Sequence, residues 1–364
     1  MQIWLAPSAY FPARGGVEEL TAQLARQYAG LGHEVTVVVH RHPASLPARE
    51  EWDGIHVARL EMNLPGRSAR QLARYPLALG TQVRALDRLP RPDVVHVQCA
   101  ANQLPALAAF TRLKSVPLVV TTQGEVTMDA DQIYQRSVQM RAALRLGARR
   151  AAAVTACSRR AGDDAARVAS RFAGCPVIPN GIDPQQWSVT PLPGAPVYAV
   201  WCRHVPQKGI DLLLDAFATV RERLPEAELL VGGEGSETPR LRARSGAGVH
   251  FLGPLDRAGV SALLERSRVV VVPSRLEPFG IVAVEAMACG RGVVWSTNGG
   301  LADATGGLGW GVNPNDRGAL AGAMLAAHAD PLDPHRARAQ AETLAWSQIA
   351  DRYERIYDRV RRSG

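Results

Sequence analysis

Lysine is almost missing from this 364-residue chain: of its 42 basic residues only Lys114 and Lys208 are lysines, and the rest are arginine. The net charge of +8 is therefore arginine spread through an alanine-rich sequence, which reads as a solvated surface rather than a polyanion-binding tract. Aromatic residues are scarce as well, at 5%, and no basic run is interleaved with them. Stacking platforms for single strands are poorly supplied, and no nucleic-acid partner is expected. The five cysteines (Cys99, Cys157, Cys175, Cys202, Cys289) are odd in number, scattered, and lack a CxxC pair. That excludes a disulfide framework and a zinc ribbon, and fits reduced thiols in a cytoplasmic protein. The nine histidines form no ligand-spaced set, so no metal is expected. No apolar run approaches the roughly 18 residues that span a bilayer, and the valine tract 269–272 is only strand-sized. The opening MQIWLAP has no basic n-region and meets Pro7 early, so no secretory leader is expected.

What is present is apolar and punctuated: 46% hydrophobic and 21% charged residues, with 33 glycines and 25 prolines. At roughly 100–200 residues per domain this length predicts two domains with real cores. Strand-sized valine-rich segments recur at 3–6, 34–40, 55–60, 93–97, 118–122 and 152–156, joined mostly by helix-length stretches. The first of those helices, from about Val17 to Leu31, carries Val17, Leu20, Leu24 and Tyr28 on one stripe. After a turn-rich, proline-rich linker near 180–196 the pattern restarts, with strands at 197–201, 228–231, 249–252, 269–272 and 292–295. Buried strands alternating with amphipathic helices predict parallel sheets covered on both faces. The expected fold is therefore α/β, with two Rossmann-like doubly wound domains, 1–182 with 345–364 and 183–344, facing each other across a cleft. The final helix, with Ile349, Tyr353, Ile356 and Tyr357 on one stripe, is expected to cross back to the first domain.

The densest chemistry lies in EPFGIVAVEAMACG, residues 277–290, directly after the strand VVVPS. Gly280 admits close backbone approach, and a helix starting there turns free N–H groups towards a diphosphate. Glu277 precedes that helix and Glu285 lies inside it; they can accept hydrogen bonds from sugar hydroxyls and from a ribose diol. The plain alternative is an N-terminal charge and an exposed helix position. Arg203 and Lys208 follow the strand 197–201, and Lys208 is not there by compositional default.

The E-x7-E spacing within 277–290 resembles that of the family 4 retaining nucleotide-sugar glycosyltransferases, which have the GT-B fold. Other segments resemble the family in the family's order: PARGGVE (12–18), GHEVTVV (32–38), VIPNGID (178–183), CRHVPQKGIDLLLDAF (202–217), VGGEG (231–235) and VHFLGPL (249–255). The resemblance covers nearly the whole chain. It implies a metal-independent, cofactor-free retaining transfer of a hexosyl-type sugar from a nucleoside diphosphate, expected to be UDP, to a hydroxyl. Arg203 and Lys208 would neutralise the leaving diphosphate, aided by amides of Gly15 and Gly16. Glu277 and the amides of Phe279, Gly280 and Ile281 would hold the donor sugar, Glu285 the ribose, and Phe251 and Leu252 the base.

Three positions depart from the family pattern. Gln123, in TTQGE (121–125), stands where a histidine is usual near the reacting sugar, and it cannot titrate. Cys202 stands where glycine usually precedes the arginine, and Gln98, in HVQ (96–98), where a second histidine is common. Glu125 either orients an acceptor or caps its loop. The D-x-D at 129–131 reads as a helix N-terminal acidic cluster and not as a metal site. Arg67, Arg70, Arg74, Arg84 and Arg88 share one helical face opposite Leu72, Leu79, Val83 and Leu86, with Pro76 expected to interrupt the helix. That stripe is compatible with peripheral membrane contact, but a solvated face is favoured. The acceptor, whether carbohydrate, lipid or secondary metabolite, is expected to meet loops near 8–14, 61–76 and 98–104. Two other readings stand beside the transferase. One is a sugar phosphorylase or nucleotide-sugar epimerase on the same fold. The other is a catalytically silent nucleotide-sugar-binding protein.

Overall fold

Runs of β-branched residues five or six long are stable as strands only when both faces of the sheet are covered. The computed structural model describes residues 1–13, 15–128 and 132–362, so the D-x-D at 129–131 lies outside the described residues. The chain divides into two units, Met1–Ile178 with the C-terminal helix, and Pro179–Ala345.

The first unit is built on β1 (Gln2–Pro7), β2 (Glu34–His40), β3 (Arg49–Trp52), β4 (Ile55–Leu60), β5 (Val94–Gln98), β6 (Leu118–Thr122) and β7 (Ala153–Ala156). They form one seven-stranded sheet in the order β3-β4-β2-β1-β5-β6-β7. All neighbours are parallel except β3, which pairs antiparallel with β4 at the edge. Alternation along the strands sends Trp4, Val38, Val95, Val97 and Val120 to one face. There they meet Leu86, Leu107, Phe110 and Leu144 from the helices Ala69–Leu86, Leu104–Lys114 and Val138–Arg150. Ile3, Leu5, Val37, Val57, Val94 and Val119 go to the other face, under the helices Gly16–Gly30 and Trp346–Arg362.

The C-terminal helix is strongly amphipathic. Its Trp346, Ile349, Ala350, Tyr353, Tyr357 and Val360 are buried against Leu20, Leu24 and Tyr28. Beneath it lies a buried polar chain. The Tyr357 hydroxyl donates to His96 Nδ1 at 2.6 Å, His96 Nε2–H donates to Thr121 Oγ1 at 2.7 Å, and Thr121 and Thr155 hydroxyls are 2.6 Å apart. Complete burial pulls the His96 imidazole down to about 3, so it is neutral, and with the Gln98 amide Nε2 3.4 Å away Nδ1 is assigned as its acceptor.

The second unit holds β8 (Val197–Trp201), β9 (Glu228–Gly232), β10 (Val249–Gly253), β11 (Val269–Val272), β12 (Gly292–Ser296) and β13 (Trp310–Val312). Their order is β10-β9-β8-β11-β12-β13, all parallel. Tyr198, Val200, Leu229, Val231, Val271 and Val294 form the core under Leu213, Phe217, Leu320 and Met324.

Three expectations need correction. Two strands have no strand signature in sequence: β3 is the charged REEW, and β13 is only three residues long. Pro76 does not interrupt its helix, which runs unbroken from Ala69 to Leu86 behind a Ser68–Gln71 capping box. Its first half is exposed, with Leu72 at 49% and Leu77 at 77%, so Leu72 is not on a buried face and packing resumes only near Leu79. On such an exposed stretch the loss of one N–H is tolerated at a local cost. Arg70, Arg74, Arg84 and Arg88 are also exposed. No helix among the described residues is long and apolar enough to cross a membrane.

Tyr357→Phe removes the one well-placed donor to His96 Nδ1, since Gln98 Nε2 at 3.4 Å is a poor substitute. The substitution is expected to cost about 1–3 kcal/mol, read as a lower urea midpoint at unchanged m-value.

Candidate active site

In an open parallel sheet, adjacent strands whose following connections run to opposite sides leave a crevice at their carboxyl ends. In the second unit those strands are β8 and β11, paired through Val269–Tyr198 and Val270–Ala199. Two loops enter this crevice: 202–209 after β8, and 273–280 after β11.

The loops are joined by charge. Arg275 grips Asp211 through two bonds of 2.8 and 2.7 Å and also donates to the Pro206 carbonyl at 2.7 Å. That pairing holds the Asp211 carboxyl below its usual range. At Gly209, with φ +67°, a Cβ would lie 2.2 Å from the Pro273 carbonyl oxygen, so only glycine lets the loops meet there. The Lys208 ammonium then reaches Glu277 Oε2 at 2.7 Å, and Ser274 Oγ donates to the same oxygen at 2.8 Å. Both acceptor and hydroxyl are buried, with Glu277 8% and Ser274 1% exposed. Burial alone would pull the Lys208 ammonium down, but the Glu277 carboxylate outweighs it and holds it up. Glu277 is therefore a buried, paired carboxylate.

Beyond Glu277 the backbone is constrained on both sides. Gly300 N–H donates to the Glu277 carbonyl at 2.8 Å, and a Cβ on Gly299 would fall 2.2 Å from that oxygen. Gly280 adopts φ +97°, and a Cβ there would meet Leu301 at 2.3 Å. The helix Ile281–Ala288 starts from it, and its first amides have no intrahelical acceptor. Phe279 is buried beside this turn at 3% exposure. Glu285, one turn into the helix, is not an exposed position: it is partly buried and accepts from Trp201 Nε1 at 3.2 Å. Burial pushes its carboxyl up to about 7, against the opposing pull of Trp201 and Arg257.

Arg203 is exposed on the same loop as Lys208. Cys202 needs no glycine conformation, because positive φ falls on Gly209 and Gly233 instead. Burial pushes the Cys202 thiol up to about 12, so it stays uncharged. Phe251 and Leu252 lie on β10, two strands from β8, which is about 10 Å along the sheet. Phe251 packs edge-on against His204 at 5.9 Å with the Arg242 guanidinium 5.3 Å over its ring, whereas Leu252 is 40% exposed.

In the first unit the corresponding crevice lies between β1 and β5. Gly15 caps the helix Gly16–Gly30 in an extended conformation, and nothing lies within 4 Å of where a Gly16 Cβ would be. Gln98 ends β5 and Gln123 follows β6, and the two residues that depart from the histidine pattern touch: Gln123 Nε2 lies 3.5 Å from Gln98 Oε1. Glu125 is buried, with one oxygen accepting from Ala100 N–H at 2.9 Å and the other from Thr122 Oγ1 at 2.9 Å and Gln123 N–H at 2.7 Å. Those bonds tie the loops after β5 and β6 together.

Sequence reasoning missed four residues. Arg275 and Asp211 staple the crevice loops. His204 donates to the Gly232 carbonyl at 3.2 Å and accepts from Thr238 at 2.8 Å, which fixes the loop bearing Arg203. Trp201 holds Glu285. The histidine inside the CRHVPQK loop and the tryptophan ending a strand were the available signals; the Arg275–Asp211 pair left none. Among the described residues, no three His, Cys, Asp or Glu side chains cluster as metal ligands.

Residues 15–181 match the family described as "Glycosyl transferase 4-like domain", and residues 195–330 match "Glycosyl transferases group 1". The chain is 29% identical to glycogen synthase of Mycobacterium tuberculosis, covering 94% of this chain and 91% of that protein. It is also 29% identical to phosphatidyl-myo-inositol mannosyltransferase of Mycobacterium leprae, covering 100% and 98%. The Anabaena protein HepE, solved in complex with UDP and glucose, shares the fold with a TM-score of 0.75 at 21% identity, covering 98% and 99%. Two doubly wound units, matched in order by the two halves of one enzyme family, make this chain a family 4 glycosyltransferase of the GT-B fold.

Proposed function

We propose that the enzyme transfers a hexosyl group from a UDP-sugar to an acceptor hydroxyl, with retention at the anomeric carbon and without a metal. The observation that carries this reading is the Lys208–Glu277 pair, set beside the Gly280 turn and the first amides of the helix Ile281–Ala288. A leaving diphosphate needs fixed positive charge where its own charge develops. Lys208, Arg203 and the amides of Gly280 and Ile281 supply it from protein groups alone. Glu277 has one oxygen committed to Lys208 and Ser274, and its other oxygen accepts from a donor-sugar hydroxyl, holding the ring still. Glu285 accepts from the ribose, and Phe251 and Leu252 approach the base. The first unit offers substrate the amides of Gly15 and Gly16 and the Gln123 amide at its own crevice. No side chain is assigned as a nucleophile. The acceptor oxygen bonds to the anomeric carbon as the bond to the diphosphate breaks, and its proton passes to the departing phosphate oxygen on the same face. UDP as the carrier is supported by the UDP complex of the Anabaena protein. The acceptor is a carbohydrate, lipid or secondary-metabolite hydroxyl, a range that includes the lipid class named for the M. leprae mannosyltransferase.

Calorimetric titration with UDP, GDP and ADP, each with and without EDTA, is expected to rank UDP first and to be indifferent to EDTA. UDP release from UDP-hexoses should follow the same rule, with the anomeric configuration of the product read by NMR. Preference for another nucleotide, loss of activity with EDTA, or an inverted product would overturn the corresponding part of the reading. Glu277→Gln keeps the shape but loses the charge beside the sugar, and is expected to lower kcat/KM by about 10²-fold.

Only the ionised Glu285 carboxylate accepts from both ribose hydroxyls. With its carboxyl near 7, nucleoside affinity should rise with pH through that value. Uridine, which carries no phosphate to titrate, should bind about tenfold more weakly at pH 6 than at pH 8, and Glu285→Gln should flatten the profile at the weaker level.

A further inference from the structure

Trp201 is the last residue of β8, and its indole lies against the helix that follows β11. Its partner there is Glu285, 84 residues on, reached through one bond of 3.2 Å from Nε1 to Oε2. The indole is 8% exposed and has little freedom to turn away. Its β9 neighbour is Gly232, where a Cβ would fall 2.5 Å from Leu255 and 3.1 Å from Trp201 Cβ, so the strand end is closely packed. Glu285 Oε2 thus meets a rigid donor that cannot accept, and indole N–H donates only. Oε1 has no protein donor among the described residues.

We propose that Trp201 is a positioning residue of the nucleotide site: its indole N–H fixes the Glu285 carboxylate so that Oε1 is presented to the ribose diol. The inference rests on the reading that Glu285 binds the ribose. The second consequence of the bond is electrostatic. Besides Trp201, the charged or titratable groups that act on Glu285 are Arg257, from the helix Arg257–Arg266, and Cys289, at the end of its own helix. Trp201 is the larger of the two influences that favour the carboxylate. Removing its N–H therefore both frees the carboxylate to rotate and makes it harder to ionise.

Trp201→Phe keeps an aromatic ring and deletes the donor. The pH midpoint of uridine affinity in this variant is expected to move up by about one unit. Affinity should fall about fivefold at pH 7 and stay within about twofold of the parent at pH 9. In a Glu285→Gln background the same substitution should change uridine affinity less than twofold at any pH. A tryptophan acting only as core filler would weaken affinity equally at all pH values without moving the midpoint, and that result overturns the proposal. If Glu285→Gln itself leaves uridine binding unchanged, the ribose reading fails instead, and the two failures are distinguishable. A measurement on the unaltered protein guards against a variant that does not fold. In nitrogen-15-labelled protein one indole N–H resonance should titrate with a midpoint near 7, and its absence between pH 6 and 8 would equally overturn the proposal.

Discussion

The second unit is organised around a cation that cannot be left alone. Lys208 is largely withdrawn from water, and a buried ammonium without a partner would lose its proton or disrupt its surroundings. Glu277 meets it from the neighbouring crevice loop, Ser274 completes the acceptor, and Arg275 with Asp211 sets the distance between the loops. The glycines at 209 and 299 are explained by the same demand, because each lies where a side chain would separate backbones that must touch, and Gly280 lies where one would strike the Leu301 side chain. A pair of this kind is weak evidence for stability, since burying two charges costs about as much as their attraction returns. Its value is geometric. It holds a positive group and a carboxylate at the mouth of a parallel sheet, beside free helix amides, before any substrate arrives.

The first unit solves a different problem with neutral groups. Its sheet has a histidine at the centre of the face covered by the C-terminal helix, and burial holds that histidine uncharged while tyrosine and threonine hydroxyls satisfy its ring nitrogens. Gln98 and Gln123 carry neutral polarity on towards the carboxyl end of the sheet, with side chains that cannot titrate. Glu125 spends both oxygens on backbone and Thr122, so its buried carboxyl serves the loops around it. One unit thus presents an ionised pair at its crevice, while the other presents amides.

Much of this was legible in the residues. Short valine-rich segments separated by helix-length stretches require covered parallel sheets, because no other arrangement satisfies strands apolar on both sides. The stripe of Ile349, Tyr353 and Tyr357 required a partner surface. Lys208 stood out because lysine is so rare here, and the Glu277–Glu285 spacing lay on a glycine-opened helix after a buried strand. Legibility ended where position depends on another part of the chain. The strand REEW has no apolar alternation and exists because β4 offers an unpaired edge. Pro76 looks like a break, yet its helix continues, since solvent satisfies what the proline cannot.

The sequence by itself determined the fold class, the two-unit organisation and the loop motifs, because each is written in local periodicity, in glycine placement or in residue rarity. Only the tertiary structure decided the partners: Lys208 with Glu277 across 69 residues, Arg275 with Asp211 across 64, and Trp201 with Glu285 across 84. Which side chains meet across a parallel sheet follows from strand order and register, and those are set by how the whole unit buries its apolar faces rather than by any segment alone.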